Sequence, residues 1–112
     1  AENIRLKTIT VVVMDAETRK FVSNAEVTVS YNEDDAAVLT QGFTDENGEI
    51  ILGIPVRDIR ISVQSYGYKA KTSLFNAAHS NLTKVDMYIT PEEKPVDEEY
   101  NRFKNKILEK GL

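Results

Sequence analysis

The stretch Phe43-Thr-Asp-Glu-Asn-Gly-Glu-Ile-Ile-Leu52 constrains this chain more than any other. Asp and Asn favour turns because their side chains bond nearby backbone N–H groups, and Gly does so because it reaches positive φ without a steric cost. Here these residues lie between two runs of strand formers. That arrangement predicts a tight β-hairpin turn with Asn47 or Gly48 at positive φ. A second break, Tyr66-Gly67-Tyr68, follows further along.

Around these breaks the hydrophobic period is two. Residues 4–14 carry Ile9, Val11 and Val13 on one face, with Val12 and Met14 making the other face partly apolar. Residues 25–31 alternate cleanly, with Ala25, Val27, Val29 and Tyr31 against Glu26, Thr28 and Ser30. Further strands are predicted over residues 38–44, 49–53, 59–63, 68–75 and 82–90, the fourth ended by Ile54-Pro55 because proline cannot donate to a ladder. The predicted core is Ile9, Val11, Val13, Ala25, Val27, Val29, Ile50, Leu52, Ile59, Ile61, Val63, Val85 and Met87. Seven short strands with regular turns imply an all-β fold, a seven-stranded antiparallel β-sandwich over residues 1–90. Up-and-down connections sort the loops onto two ends. One end holds the loops near Asp15, Asp45 and Gly67, and the other those near Asn32, Pro55 and Asn76.

The pattern changes after Thr90. Residues 91–95, Pro-Glu-Glu-Lys-Pro, read as a stiff polar linker. Val96, Tyr100, Phe103 and Ile107 then recur at helical spacing, with acids at the start, lysines at the end and a glycine at 111. Those features predict one amphipathic C-terminal α-helix over residues 96–110. An isolated helix of that length is marginal in water, so its stripe needs a surface. The sandwich itself or a second copy can supply one, which makes a homodimer through the helix one expectation.

Composition narrows the function classes. A chain of 112 residues is of single-domain size. It has no cysteine, and so no disulfide framework or thiolate metal site. Its net charge of −4 gives no general attraction to phosphate backbones, so nucleic acid is not an expected partner. No apolar run is long enough to insert in a membrane as a helix. The opening Ala1-Glu2-Asn3 fits either a signal-peptidase cut or an arbitrary boundary.

Candidate chemistry is sparse. His79 is the only histidine, and its neighbour Ser80 does not make a triad by adjacency, so no catalytic residues are expected. Asp45, Asn47 and Glu49 offer oxygens at alternate positions, which Asp15 and Glu17 could join. Counted from Asp45, however, the sixth and twelfth places of a calcium loop fall on Ile50 and Val56 rather than glycine and glutamate. No metal and no cofactor are therefore expected. Asn81-Leu82-Thr83 matches a glycosylation acceptor. The aromatic residues are more promising. Phe43, Tyr66 and Tyr68 fall near one end of the sandwich, where they can stack on a partner or plug the core. The candidate partner-binding residues are Tyr66 and Tyr68, with Tyr100, Phe103 and Ile107 on the helix.

Val13-x-Asp15-Ala16-Glu17-Thr18, Asn24-Ala25-x-Val27-x-Val29, Thr44-Asp45-x-Asn47-Gly48, Ile59-x-Ile61-x-Val63 and Gly67-Tyr68 occur in the order and spacing of a known family. In these the chain resembles the carboxypeptidase regulatory-like domains, part of the transthyretin-like (prealbumin-like, Ig-like) β-sandwiches. Val11, Arg19 and Asn24 stand where a glycine is common, although Asn24 tolerates a left-handed backbone. The resemblance implies a non-catalytic binding or scaffold module of a bacterial secreted or cell-surface protein, with a protein or glycan as partner. A structural adaptor in a phage tail or secretion apparatus is the alternative. Hydroxyisourate hydrolases share this fold but use several histidines, which the chain lacks. Some related adhesin sandwiches link a first-strand lysine to a last-strand asparagine. Here Lys7 has only Asp86 opposite such a role.

Overall fold

The computed structural model describes residues 5–92 of the chain. Seven strands run through them: β1 (Leu6–Asp15), β2 (Glu26–Tyr31), β3 (Val38–Phe43), β4 (Glu49–Pro55), β5 (Asp58–Gln64), β6 (Lys71–Asn76) and β7 (Lys84–Ile89). They form two sheets, one of three strands in the order β4-β1-β7 and one of four in the order β3-β2-β5-β6. The linker from Pro91 is described only as far as Glu92. The predicted helix, residues 96–110, lies outside the described residues.

The alternating residues of the sequence pattern meet between the sheets. Ile9, Val11, Val13, Val27, Val29, Ile59, Ile61 and Val63 are fully buried there, and Ala25, Leu52 and Met87 are buried with them. Ile50 and Val85 are only partly buried and pack against this cluster. Val22, Ile54, Phe75, Ala77 and Ile89 complete it, beyond the predicted core, although the period already puts Ile89 on one face with Val85 and Met87. Ile54 and Pro55 continue β4 rather than ending it, Pro55 pairing with Leu6 at the start of β1. Proline is tolerated because β4 is an edge strand. On the outer face of the smaller sheet Val12 is 2% exposed, between the paired positions Glu49 and Asp86.

The expectation of a wholly antiparallel sandwich is corrected at one pair. β1 and β7 are parallel, with Thr10 opposite Lys84 and Asp15 opposite Ile89. The reason is parity. Each connection reverses the chain, so odd-numbered strands run one way and even-numbered strands the other. Every other neighbouring pair joins an odd to an even strand, whereas β1 and β7 are both odd.

The turn at Asp45 closes as expected. Gly48 N donates to Asp45 O at 3.0 Å, Asp45 N donates to Glu49 O at 2.9 Å, and Gly48 takes a φ of 70°. The expected hairpin does not follow from it. Beyond the turn β3 joins β2 while β4 joins β1, so the segment is an arch between sheets. The buried Thr44 fixes the departure point. Its Oγ1 accepts from Ala25 N at 3.0 Å and donates to Val22 O at 2.7 Å. On the far side of the arch Val13 N donates to Gly48 O at 2.8 Å.

Two of the positions where glycine is common do adopt positive φ, Arg19 at 63° and Asn24 at 57°. Arg19 places its guanidinium 4.7 Å from the centre of the Tyr88 ring, a cation–π contact that offsets part of the strain.

Candidate functional site

Aromatic residues gather where the chain leaves the sandwich. On the outward face of the four-stranded sheet, Glu26 of β2 is flanked by Phe43 of β3 and Gln64 of β5 in one cross-strand row. Each sits one residue from an inward-facing position, so the strand period turns all three outward. The β5–β6 connection adds Tyr66 and Tyr68, and the segment after β7 adds Glu92. Together they line an open groove of about 450 Å³. Asn24, Ser65 and Ala70 complete the lining, which among the described residues contains two carboxylates and no lysine or arginine.

The two sequence-selected tyrosines behave differently. Tyr66 is fully exposed at 103%, beside a Phe43 that is 62% exposed. Tyr68 is half-buried and packs against the core. Its N–H donates to Ser65 O at 3.0 Å, closing a turn in which Gly67 takes a φ of 84°. Its hydroxyl donates to Asp15 Oδ2 at 2.7 Å. The ring therefore forms a wall of the groove while the hydroxyl points to the structural acid behind it. Tyr100, Phe103 and Ile107 lie outside the described residues.

Asp15 ends β1 and is buried. Its Oδ1 accepts from Glu17 N at 2.7 Å and from Thr18 N at 2.9 Å. The Thr18 N–H first, and then the Tyr68 hydroxyl, hold its carboxyl below the usual value of 3.8, partly opposed by burial. The same hydrogen bond to a carboxylate, helped by desolvation, raises the Tyr68 phenol above its usual 10.0. The sequence offers Asp15 as a possible calcium ligand and as part of the motif that carries the family resemblance. Its oxygens serve the backbone of its own turn and Tyr68 instead. Asp45 is used in the same way, its Oδ1 accepting from Asn47 N and Glu49 N. Among the described residues no three His, Cys, Asp or Glu side chains converge as metal ligands would.

His79 is exposed, and its N–H is bound by Asn76, while Ser80 Oγ accepts from Leu82 N at 3.1 Å. Lys7 donates to Ser80 O at 2.7 Å and lies 5.6 Å from the centre of the Phe75 ring. Glu26, Gln64 and Glu92 were missed as groove residues. The only sequence signal for the first two is that they are outward positions at strand ends.

No family model matches the chain, and no curated protein matches it. Solved structures do share its fold. The TIE protein of Bacillus anthracis superposes with a TM-score of 0.62 at 20% identity, over 77% of this chain and 17% of that one. The shaft pilin SpaA of Lactobacillus rhamnosus GG gives 0.60 at 15% identity, over 80% and 47%. Wild-type catechol 1,2 dioxygenase of Acinetobacter radioresistens gives 0.61 at 13% identity, over 81% and 53%. The chain thus spans less than two thirds of each. One neighbour is named for a dioxygenase and another for a shaft pilin, so the shared architecture is a two-sheet β-sandwich and carries no activity with it.

Proposed function

We propose that the chain is a non-catalytic structural module of a bacterial secreted or cell-surface protein, one segment of a longer polypeptide that meets a protein partner through the groove at its outgoing end. The observation that carries this reading is the exposed pair Phe43 and Tyr66 above the groove. Large exposed aromatics beside a concave wall are typical anchors for a partner. Ser80, beside the chain's single histidine, and the candidate metal ligands Asp15 and Asp45 are each engaged in holding a turn. The shaft pilin among the structural neighbours is consistent with a surface role.

An antibody raised against the purified sandwich tests the location. Labelling of intact cells of the source is expected, and labelling only after permeabilisation overturns the surface assignment. A glycan array tests the partner class. Binding to a sugar that is lost in Tyr66→Ala would replace the protein partner by a carbohydrate.

A further inference from the structure

The strand that receives the chain and the strand that releases it lie side by side and point the same way. β1 begins at Leu6 and β7 ends at Ile89, and they pair in parallel from Thr10–Lys84 to Asp15–Ile89. The incoming end of β1 and the outgoing end of β7 are therefore at opposite ends of one ladder. A pull on the chain drags the two strands past each other along their own axes. Were these strands antiparallel, the same pull would separate one edge and break the bonds in succession. In this geometry the ladder's hydrogen bonds carry the force together.

β1 is also held on its other side. Seven paired positions, from Leu6–Pro55 to Val12–Glu49, tie it to β4. Slipping by one residue would turn the fully buried Ile9, Val11 and Val13 away from the core and bring Thr10, Val12 and Met14 inward. Bonds beyond the ladder fasten both ends. At the incoming end Thr10 N donates to Thr83 O at 2.8 Å and Lys7 Nζ to Ser80 O at 2.7 Å. At the outgoing end Ala16 N donates to Ile89 O at 2.8 Å, Lys69 N to Thr90 O at 2.9 Å and Glu92 N to Gly67 O at 2.9 Å. The last two bonds join the departing segment to the β5–β6 connection of the other sheet.

We infer that this sandwich transmits tension along its polypeptide, with the parallel β1–β7 ladder as a clamp loaded in shear. The biological use of such a clamp rests on the reading of the chain as one segment of a longer protein. The mechanical property belongs to the sandwich alone.

Single-molecule force spectroscopy on the full chain tests the clamp by changing only the direction of pull. In one geometry the handles are attached at the two termini. In the other, one handle is on Glu17→Cys, an exposed position just past β1, and one at the C-terminus, so both pull at the outgoing end and peel the strands apart. At equal pulling speed the first geometry is expected to need a severalfold higher unfolding force. Equal forces, or a higher force on peeling, overturn the clamp. An unchanged melting temperature for Glu17→Cys shows that both geometries load the same fold. A retained force difference in a protein found only inside cells would remove the surface assignment and leave the clamp standing. Equal forces in a surface-displayed protein would do the reverse.

Discussion

The Tyr68 hydroxyl donates to Asp15 Oδ2 at 2.7 Å, joining two turns 53 positions apart in the chain. One turn ends β1 and the other holds the segment that leaves β7, so a single phenol links the two at the outgoing end.

Stability should respond to pH through this bond. The carboxyl of Asp15 is lowered from 3.8 in the folded chain, so its contribution is complete above that value and is lost as the pH falls through the folded-state value. The phenol of Tyr68 is raised from 10.0, so its contribution is complete below 10.0 and is lost as the pH rises through the folded-state value. Urea midpoints measured across the acid range should fall less steeply for Tyr68→Phe than for the parent. A parallel decline in both proteins would separate the acid response from this pair.

Thr44→Val keeps the side-chain volume but strips the hydroxyl from a buried site. Ala25 N–H and Val22 C=O then lose their partner. A cost of about 1–3 kcal/mol for each unsatisfied group is expected in equilibrium unfolding. Thr44→Ser, which keeps the hydroxyl, should cost less. If the two variants are equally destabilised, packing rather than bonding dominates at this position.

Gly48 and Gly67 both have positive φ but differ in their surroundings. A Cβ on Gly48 would sit 2.7 Å from Val13 O, a backbone atom, whereas one on Gly67 would meet nothing within 4 Å. Alanine at either position bears roughly 1–2 kcal/mol of left-handed strain. Gly48→Ala must also displace the β1 backbone. Its melting temperature should therefore drop further than that of Gly67→Ala, and the opposite ranking would contradict the arch geometry.

Ile61→Ala removes a fully buried side chain and is expected to cost about 2–5 kcal/mol. Ile51→Ala, on a residue 68% exposed, should stay within about 0.5 kcal/mol. Comparable losses at both would mean that the outer face of β4 is covered in solution.

The period of two made Val27, Val29, Ile59, Ile61 and Val63 legible, because side chains on a strand can face only two ways. The same period is masked in β6, where the positions opposite the buried Ile61 and Val63 are the polar Ser73 and Lys71, so Phe75 opposite Ile59 does not stand out, and Ala77 lies just beyond that strand. The arch at Asp45 was misread because turn chemistry is local. Asp45 and Gly48 make the same bonds whether the strands beyond them pair or part, and the choice lies with Thr44 and its contacts to the start of β2. The parallel pair was derivable in principle, since seven reversing strands leave the first and last pointing alike. What the sequence lacks is the fact that they are neighbours. The groove was legible as far as its aromatics Phe43, Tyr66 and Tyr68. Glu26, Gln64 and Glu92 come together only through the register of β2 with β5 and the path after β7.

Placing arrival and departure at opposite poles also decides how such a unit can be rearranged in evolution. β1 alone, with ten residues, extends for about 33 Å. A circular permutant would need a tether crossing that distance, and grafting the sandwich into a loop of a host domain would force the host's loop ends equally far apart. Concatenation carries no such penalty. Each duplicated copy begins near the pole where the previous one stops, so duplication lengthens the polypeptide as a string of beads.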